Sequence, residues 1–217
     1  MVACTRWKDM LVRCCGALAL CLAGATGLPA AAQSVGSAYT DYDTKKCAHK
    51  GGRDVEDYGQ WRCKGLNGMA VLVSAGDQRM TMSFGPRAAD EPAVGQTLQR
   101  FNDVYKARIE WRFARMAGGT VKPFAAIVRW NAVPLDERTS RPQTASGKVL
   151  VVTRLGPGGV CHVGYVDALA NRDAGALARK IADEHARTFR CDTDKPVILG
   201  ATGPGFSSSG DAEKLDR

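Results

Sequence analysis

The chain has 217 residues, 45% of them hydrophobic and 24% charged, and a formal net charge of +8 at pH 7. That length accommodates one domain with its own core, even after loss of a short leader. The moderate excess of positive charge favours anionic partners, with no nucleic acid expected if the chain is exported.

Arg6, Lys8 and Arg13 precede an uncharged apolar run from Leu18 to Ala32, which closes with Pro29, Ala30, Ala31 and Ala32 before Gln33. This order of basic, apolar and small residues predicts a signal peptide over residues 1–32, cut after Ala32. Gly16 stands just before the run and Gly24, Gly27 and Pro29 interrupt it, so it falls short of the ~20 strongly apolar residues of a spanning helix. Lipidation at Cys21 is disfavoured because Leu20 stands where a small residue is needed. The expected location is the periplasm or the extracellular space, with no membrane span in the mature chain.

The first strong strand signal runs from Met69 to Ser74 and turns at Gly76 and Asp77 into Arg79–Gly85, where Met80, Met82 and Phe84 alternate with polar residues. Such alternation predicts strands buried on one face and joined as a hairpin. Residues 90–105 are mixed and read as a short helix or an ordered loop. A second hairpin joins Ala107–Arg115 to Lys122–Asn131 through Gly118 and Gly119, with Ile109, Trp111 and Phe113 on its inward face. Pro134 to Gly147 is polar and reads as an exposed loop. A third hairpin joins Val149–Leu155 to Val160–Val166. Past Asp167 the period becomes helical: Leu177, Ile181, His185 and Phe189 recur every fourth residue beside Ala174, Ala178, Ala182 and Ala186, with Asp173 as a plausible N-cap. From Gly200 onward the glycine- and serine-rich composition predicts a disordered tail.

These elements predict an α+β fold, an antiparallel sheet of about six to seven strands with one C-terminal helix packed on it. The expected organisation is a signal peptide over 1–32, a single disulfide-containing domain over 33–199, and a tail over 200–217. Of the eight cysteines, Cys4, Cys14, Cys15 and Cys21 lie in the leader, leaving Cys47, Cys63, Cys161 and Cys191. An even set in an oxidising compartment argues for disulfides, and four cysteines allow three pairings. Short loop closure favours Cys47 with Cys63 and Cys161 with Cys191, each stabilising by about 3 kcal/mol in the chain-entropy model. No C-x-x-C pair is present and the spacings match no common zinc module, so neither metal nor cofactor is expected.

Catalytic patterns are weak. Gly156-Pro157-Gly158-Gly159 leads from strand to strand rather than into a helix, so it reads as a turn that needs positive φ and not as a phosphate loop. Cys47-Ala48-His49 and Cys161-His162 would suit a Cys/His nucleophile only with a free thiolate, which disulfide pairing removes. His185 falls on the apolar helix face, where a hydrogen-bonded structural histidine is the ordinary reading. No G-x-S-x-G elbow exists, and the acidic residues at Asp54, Glu56 and Asp57 or at Asp90 and Glu91 are loop neighbours. No catalytic residue is assigned. The more informative residues are arginines. Alternation against Ile109, Trp111 and Phe113 sends Arg108 and Arg112 to the opposite face, where Arg129, with Arg79 nearby, extends a basic stripe suited to carboxylate or phosphate recognition.

Tyr39-Thr40-Asp41, Cys47, Trp61-Arg62-Cys63, Leu155-Gly156-Pro157-Gly158-Gly159, Cys161-His162-Val163 and Tyr165-Val166-Asp167-Ala168 together resemble a family of exported alphaproteobacterial proteins of unknown function. The resemblance covers most of the mature chain, implies export and a shared fold, and carries no catalytic residue. The functional expectation is a binding or interaction module in the envelope, inhibitor-like in one concrete form, with Arg108, Arg112 and Arg129 facing an anionic envelope component or an envelope protein. A hydrolase acting on an envelope polymer and a structural envelope component are the alternatives.

Overall fold

Ile109 and Trp111 are fully buried, and the strand that carries them is the hub of the fold. The computed structural model describes residues 34–52, 58–115, 121–133 and 147–215; the leader, the acidic stretch at 54–57 and the polar loop expected after Pro134 lie outside them. Among the described residues twelve strands and one α-helix follow in order: β1 (Val35–Asp43), β2 (Ala48–Gly51), β3 (Gly59–Lys64), β4 (Ala70–Gly76), β5 (Arg79–Phe84), β6 (Phe101–Asp103), β7 (Lys106–Arg115), β8 (Val121–Val133), β9 (Gly147–Arg154), β10 (Cys161–Asp167), α1 (Ala174–His185), β11 (Val197–Leu199) and β12 (Glu213–Leu215). Among those residues no helix is long and apolar enough to cross a membrane.

The three expected hairpins form, as β4–β5, β7–β8 and β9–β10. The first turns one residue later than expected, with Asp77 and Gln78 at φ 50° and 58°, the two positive values of a tight primed turn. The single antiparallel sheet does not hold. β1, β7, β8, β9, β10, β11 and β12 lie in that order in an eight-stranded sheet whose eighth member, β6, pairs with the far end of β8, while β2 to β5 make a separate four-stranded sheet. The large sheet is mixed, because the chain crosses over through α1 and enters β11 parallel to β10, and β12 adds parallel to β11. Alternation reports which residues share a face, but it carries no information about which distant strands pair.

Two cores follow. The inner face of the large sheet meets the small sheet through Trp61, Val71, Val73, Met80, Met82 and Phe84 on one side and Ile109, Trp111, Val128, Trp130, Val151 and Tyr165 on the other. Trp111 packs edge-on to Phe84, ring centroids 5.5 Å apart, and donates its indole N–H to Thr40 Oγ1 at 2.9 Å. On the outer face α1 seats Ala174, Leu177, Ala178, Ile181 and Ala182 over Ala125, Ile127, Val152 and Val163. The small alanines give the close approach read from the sequence. Gly164, at the β10 bulge, is required for it too: a Cβ there would meet Val197 O at 2.5 Å and Ile181 Cγ2 at 3.0 Å. Asp173 occupies the N-cap position without a side-chain hydrogen bond, and its carbonyl accepts from Ala176 and Leu177 instead.

Cys47 bonds to Cys63 and Cys161 to Cys191, the pairing expected from loop closure. The second bridge ties the segment after α1 to β10. The stretch beyond Gly200, expected to be disordered, is instead built into the fold over its described part. Gly203 N–H donates to Asp167 Oδ2 at 2.8 Å, Ser207 Oγ accepts from Arg100 N–H at 3.0 Å, and residues 213–215 form β12. Low apolar content hid these polar anchors.

Candidate functional site

The outer face of the large sheet carries the arginines singled out above. Alternation along β1, β7, β8 and β9 places Ser37, Tyr39 and Asp41 beside Arg108, Glu110 and Arg112, then Ile127, Arg129 and Asn131, then Lys148 and Leu150. Helix α1 covers only part of this surface, and the covered and open parts differ in kind.

Under the helix, Arg112 is 8% exposed. Its Nε and one terminal nitrogen donate to the two carboxylate oxygens of Asp183 on α1 at 2.9 and 2.6 Å, and the other terminal nitrogen donates to Ser37 Oγ at 2.5 Å. Ser37 passes its own proton toward Glu110 Oε1 at 2.5 Å, and Arg179 of α1 pairs with Glu110 at 3.3 Å. This bidentate, relayed network fixes the helix on the sheet. Arg112 is therefore a structural residue, which corrects its assignment to an open basic stripe: alternation names a face, not what covers it. Arg79 belongs to the small sheet, pairs with Asp77 at 2.9 Å and lies 5.5 Å over the Phe101 ring.

Beyond the start of α1 at Gly175 the sheet face opens into a groove of about 580 Å³, lined by Tyr39, Asp41, Lys106, Arg108, Glu110 and Arg129 over a floor of Ile127 and Leu150. Arg108 Nε donates to Asp41 Oδ1 at 3.0 Å, and this bond, with smaller help from the Arg108 and Lys106 charges, holds the Asp41 carboxyl below the ordinary carboxylate value. Arg129 is exposed and has neither a hydrogen bond nor an ion pair among the described residues. Lys148 donates to Asn131 Oδ1 at 2.5 Å and Asn131 to Asp103 Oδ1 at 2.7 Å, which fixes the rim. Tyr39, 54% exposed, is one of three large apolar side chains left open to solvent among the described residues. Comparison with known proteins finds no family model, no curated protein and no solved structure that matches the chain.

The histidines lie far apart in the architecture. His49 Nε2 is 2.6 Å from Gly52 O, with its ring 5.2 Å from that of Trp61 in the small sheet. His162 is wholly buried, its Nδ1 2.8 Å from Tyr165 Oη, and burial pushes it down to about 3, so the ring is neutral. His185 ends α1, half-buried. Both pairs of sulfurs next to histidines are in disulfides. Among the described residues no group of His, Cys, Asp or Glu is arranged to hold a metal ion.

Sequence reasoning located Arg108 and Arg129 on the groove and missed Tyr39, Asp41 and Lys106. The first two stood in view within Tyr39-Thr40-Asp41, whose alternation with Ala38 and Tyr42 is the signal of β1. It also missed Lys122, Arg154 and Arg187, which meet at the opposite end of α1.

Proposed function

We propose that the chain is an exported, disulfide-stabilised binding module whose ligand face is the open part of the large sheet's outer surface. The observation that carries this reading is Arg129: an exposed guanidinium with no partner among the described residues, on a rigid central strand, beside Lys106 and Arg108 in one groove. A planar donor fork left free on a fixed strand recognises carboxylate or phosphate at little entropic cost. Tyr39 adds an amphipathic contact of the kind that dominates protein recognition surfaces. The partner that fits is an acidic patch on an envelope component, and blocking such a patch on an envelope protein is the concrete form of the role. Exported location is supported by the leader pattern and by two disulfides.

Poly-L-glutamate serves as the probe. Titration with the native protein gives binding that weakens with added salt, and Lys106→Glu with Arg129→Glu weakens it about tenfold or more while leaving the melting temperature nearly unchanged, since neither side chain makes a hydrogen bond or an ion pair among the described residues. Equal binding by the double variant overturns the reading. The export component is read separately, as an intact mass beginning at Gln33 with no titratable thiol.

A further inference from the structure

The carboxyl-terminal end of α1 overlies a second cavity that shares no lining residue with the groove. It is a cleft of about 210 Å³ between the end of the β7–β8 hairpin where β7 finishes and β8 begins, the turn after β9 and Arg187, just past the helix. Its walls are Ala114, Pro123, Phe124, Leu155 and Pro157, and among the described residues its ionisable lining is Lys122, Arg154 and Arg187. Among the described residues none of these three cations forms an ion pair.

Arg154 is the unusual member. It is 7% exposed, yet its charge meets only backbone carbonyls: Phe189 O at 2.6 Å, Pro157 O at 2.6 Å and Gly158 O at 3.0 Å. Its Nε is buried with no hydrogen-bond partner. A buried guanidinium is ordinarily matched by a carboxylate, because desolvating an uncompensated charge is costly. Arg187 sits 4.6 Å over the Phe124 ring and spends one donor on Asp183 O at 3.3 Å, leaving the rest of its fork available. Lys122 is exposed on the other side. Three cations thus converge on an apolar cleft that has no acid among its described lining residues.

We propose that this cleft binds an anion carrying an apolar chain, with the acidic headgroup between Lys122 and Arg187 in the field of Arg154, and the chain against Phe124, Leu155 and Pro157. The apolar walls exclude a bare inorganic anion as the fitting ligand, and the three cations exclude a neutral alkyl compound. Alkyl carboxylates and alkyl phosphates share the required chemistry.

Isothermal titration of the disulfide-intact protein with decanoate, decyl phosphate, decanol and acetate, each below its micelle-forming concentration, tests this. Decanoate or decyl phosphate binds with one-to-one stoichiometry, and decanol and acetate bind about tenfold or more weakly. The stronger of the two anions names the headgroup. Lys122→Gln with Arg187→Gln abolishes the advantage of the anions over decanol without lowering the melting temperature. Arg187→Lys restores part of it, and Arg129→Glu in the other groove leaves it intact. Failure of both anions to bind at millimolar concentration, equal binding of decanol, or anion binding undiminished in the double variant overturns the proposal.

Discussion

His162 is sealed in the core between the sheets, with its ring edge-on to Trp130 at 5.7 Å and to Tyr165 at 5.6 Å. Burial disfavours the imidazolium, so the ring stays neutral in the folded protein down to about pH 3, whereas in the unfolded chain it takes up a proton near pH 6.5. The unfolded state therefore binds more protons below pH 6.5. The contribution of this group is complete above that value and is lost as pH falls toward about 3, with a maximal slope of about 1.4 kcal/mol per pH unit. Urea denaturation across that window shows the wild type losing stability more steeply than His162→Gln, which has no titrating ring. Parallel curves for the two proteins refute this account. The same burial explains why a histidine beside a cysteine, suggestive in the sequence, is unsuited to proton transfer: it is dry, hydrogen-bonded and neutral.

At the scale of elements, α1 is held to the sheet by apolar contacts and by two ion pairs, Arg112 with Asp183 and Arg179 with Glu110, and the two arginines four residues apart on β7 divide the work. Arg112 is enclosed and doubly bonded to Asp183. Replacing it with alanine leaves that carboxylate facing an empty, partly buried site and lowers stability by about 2–3 kcal/mol. Arg108 pairs with Asp41 in the open, both side chains about two-thirds exposed, and Arg108→Ala leaves stability nearly unchanged because solvent screens an exposed pair. Denaturant midpoints of the two single variants decide it, and equal losses contradict the division. The β7–β8 hairpin and the amphipathic helix were legible because their signals are local periodicities. That one arginine lies under the helix and the other beyond its end depends on where α1 lands, which no local pattern encodes. The residues after Gly200 were misread for a related reason: the bonds of Gly203 and Ser207 go to Asp167 and Arg100, far away in the chain.

At the scale of the molecule, three layers are threaded in an order that the sequence does not announce. After β1 the chain leaves to build the small sheet and comes back to the large one at β6 and β7, so β1 and β7 lie side by side although Ser37 and its partner Glu110 are 73 positions apart. β7 to β10, by contrast, are consecutive antiparallel neighbours. Loop-closure entropy opposes the first pairing more than the others, and one wall of the groove, Tyr39 and Asp41, arrives with β1. The groove is thus expected to complete late in folding. In refolding from urea with disulfides intact, strand signal in the far-ultraviolet recovers before poly-L-glutamate binding, and simultaneous recovery would show that β1 docks with the hairpins. A groove assembled last exists only on molecules whose remaining layers are already in place, so, on the binding role proposed above, partly folded chains present no competing copy of it.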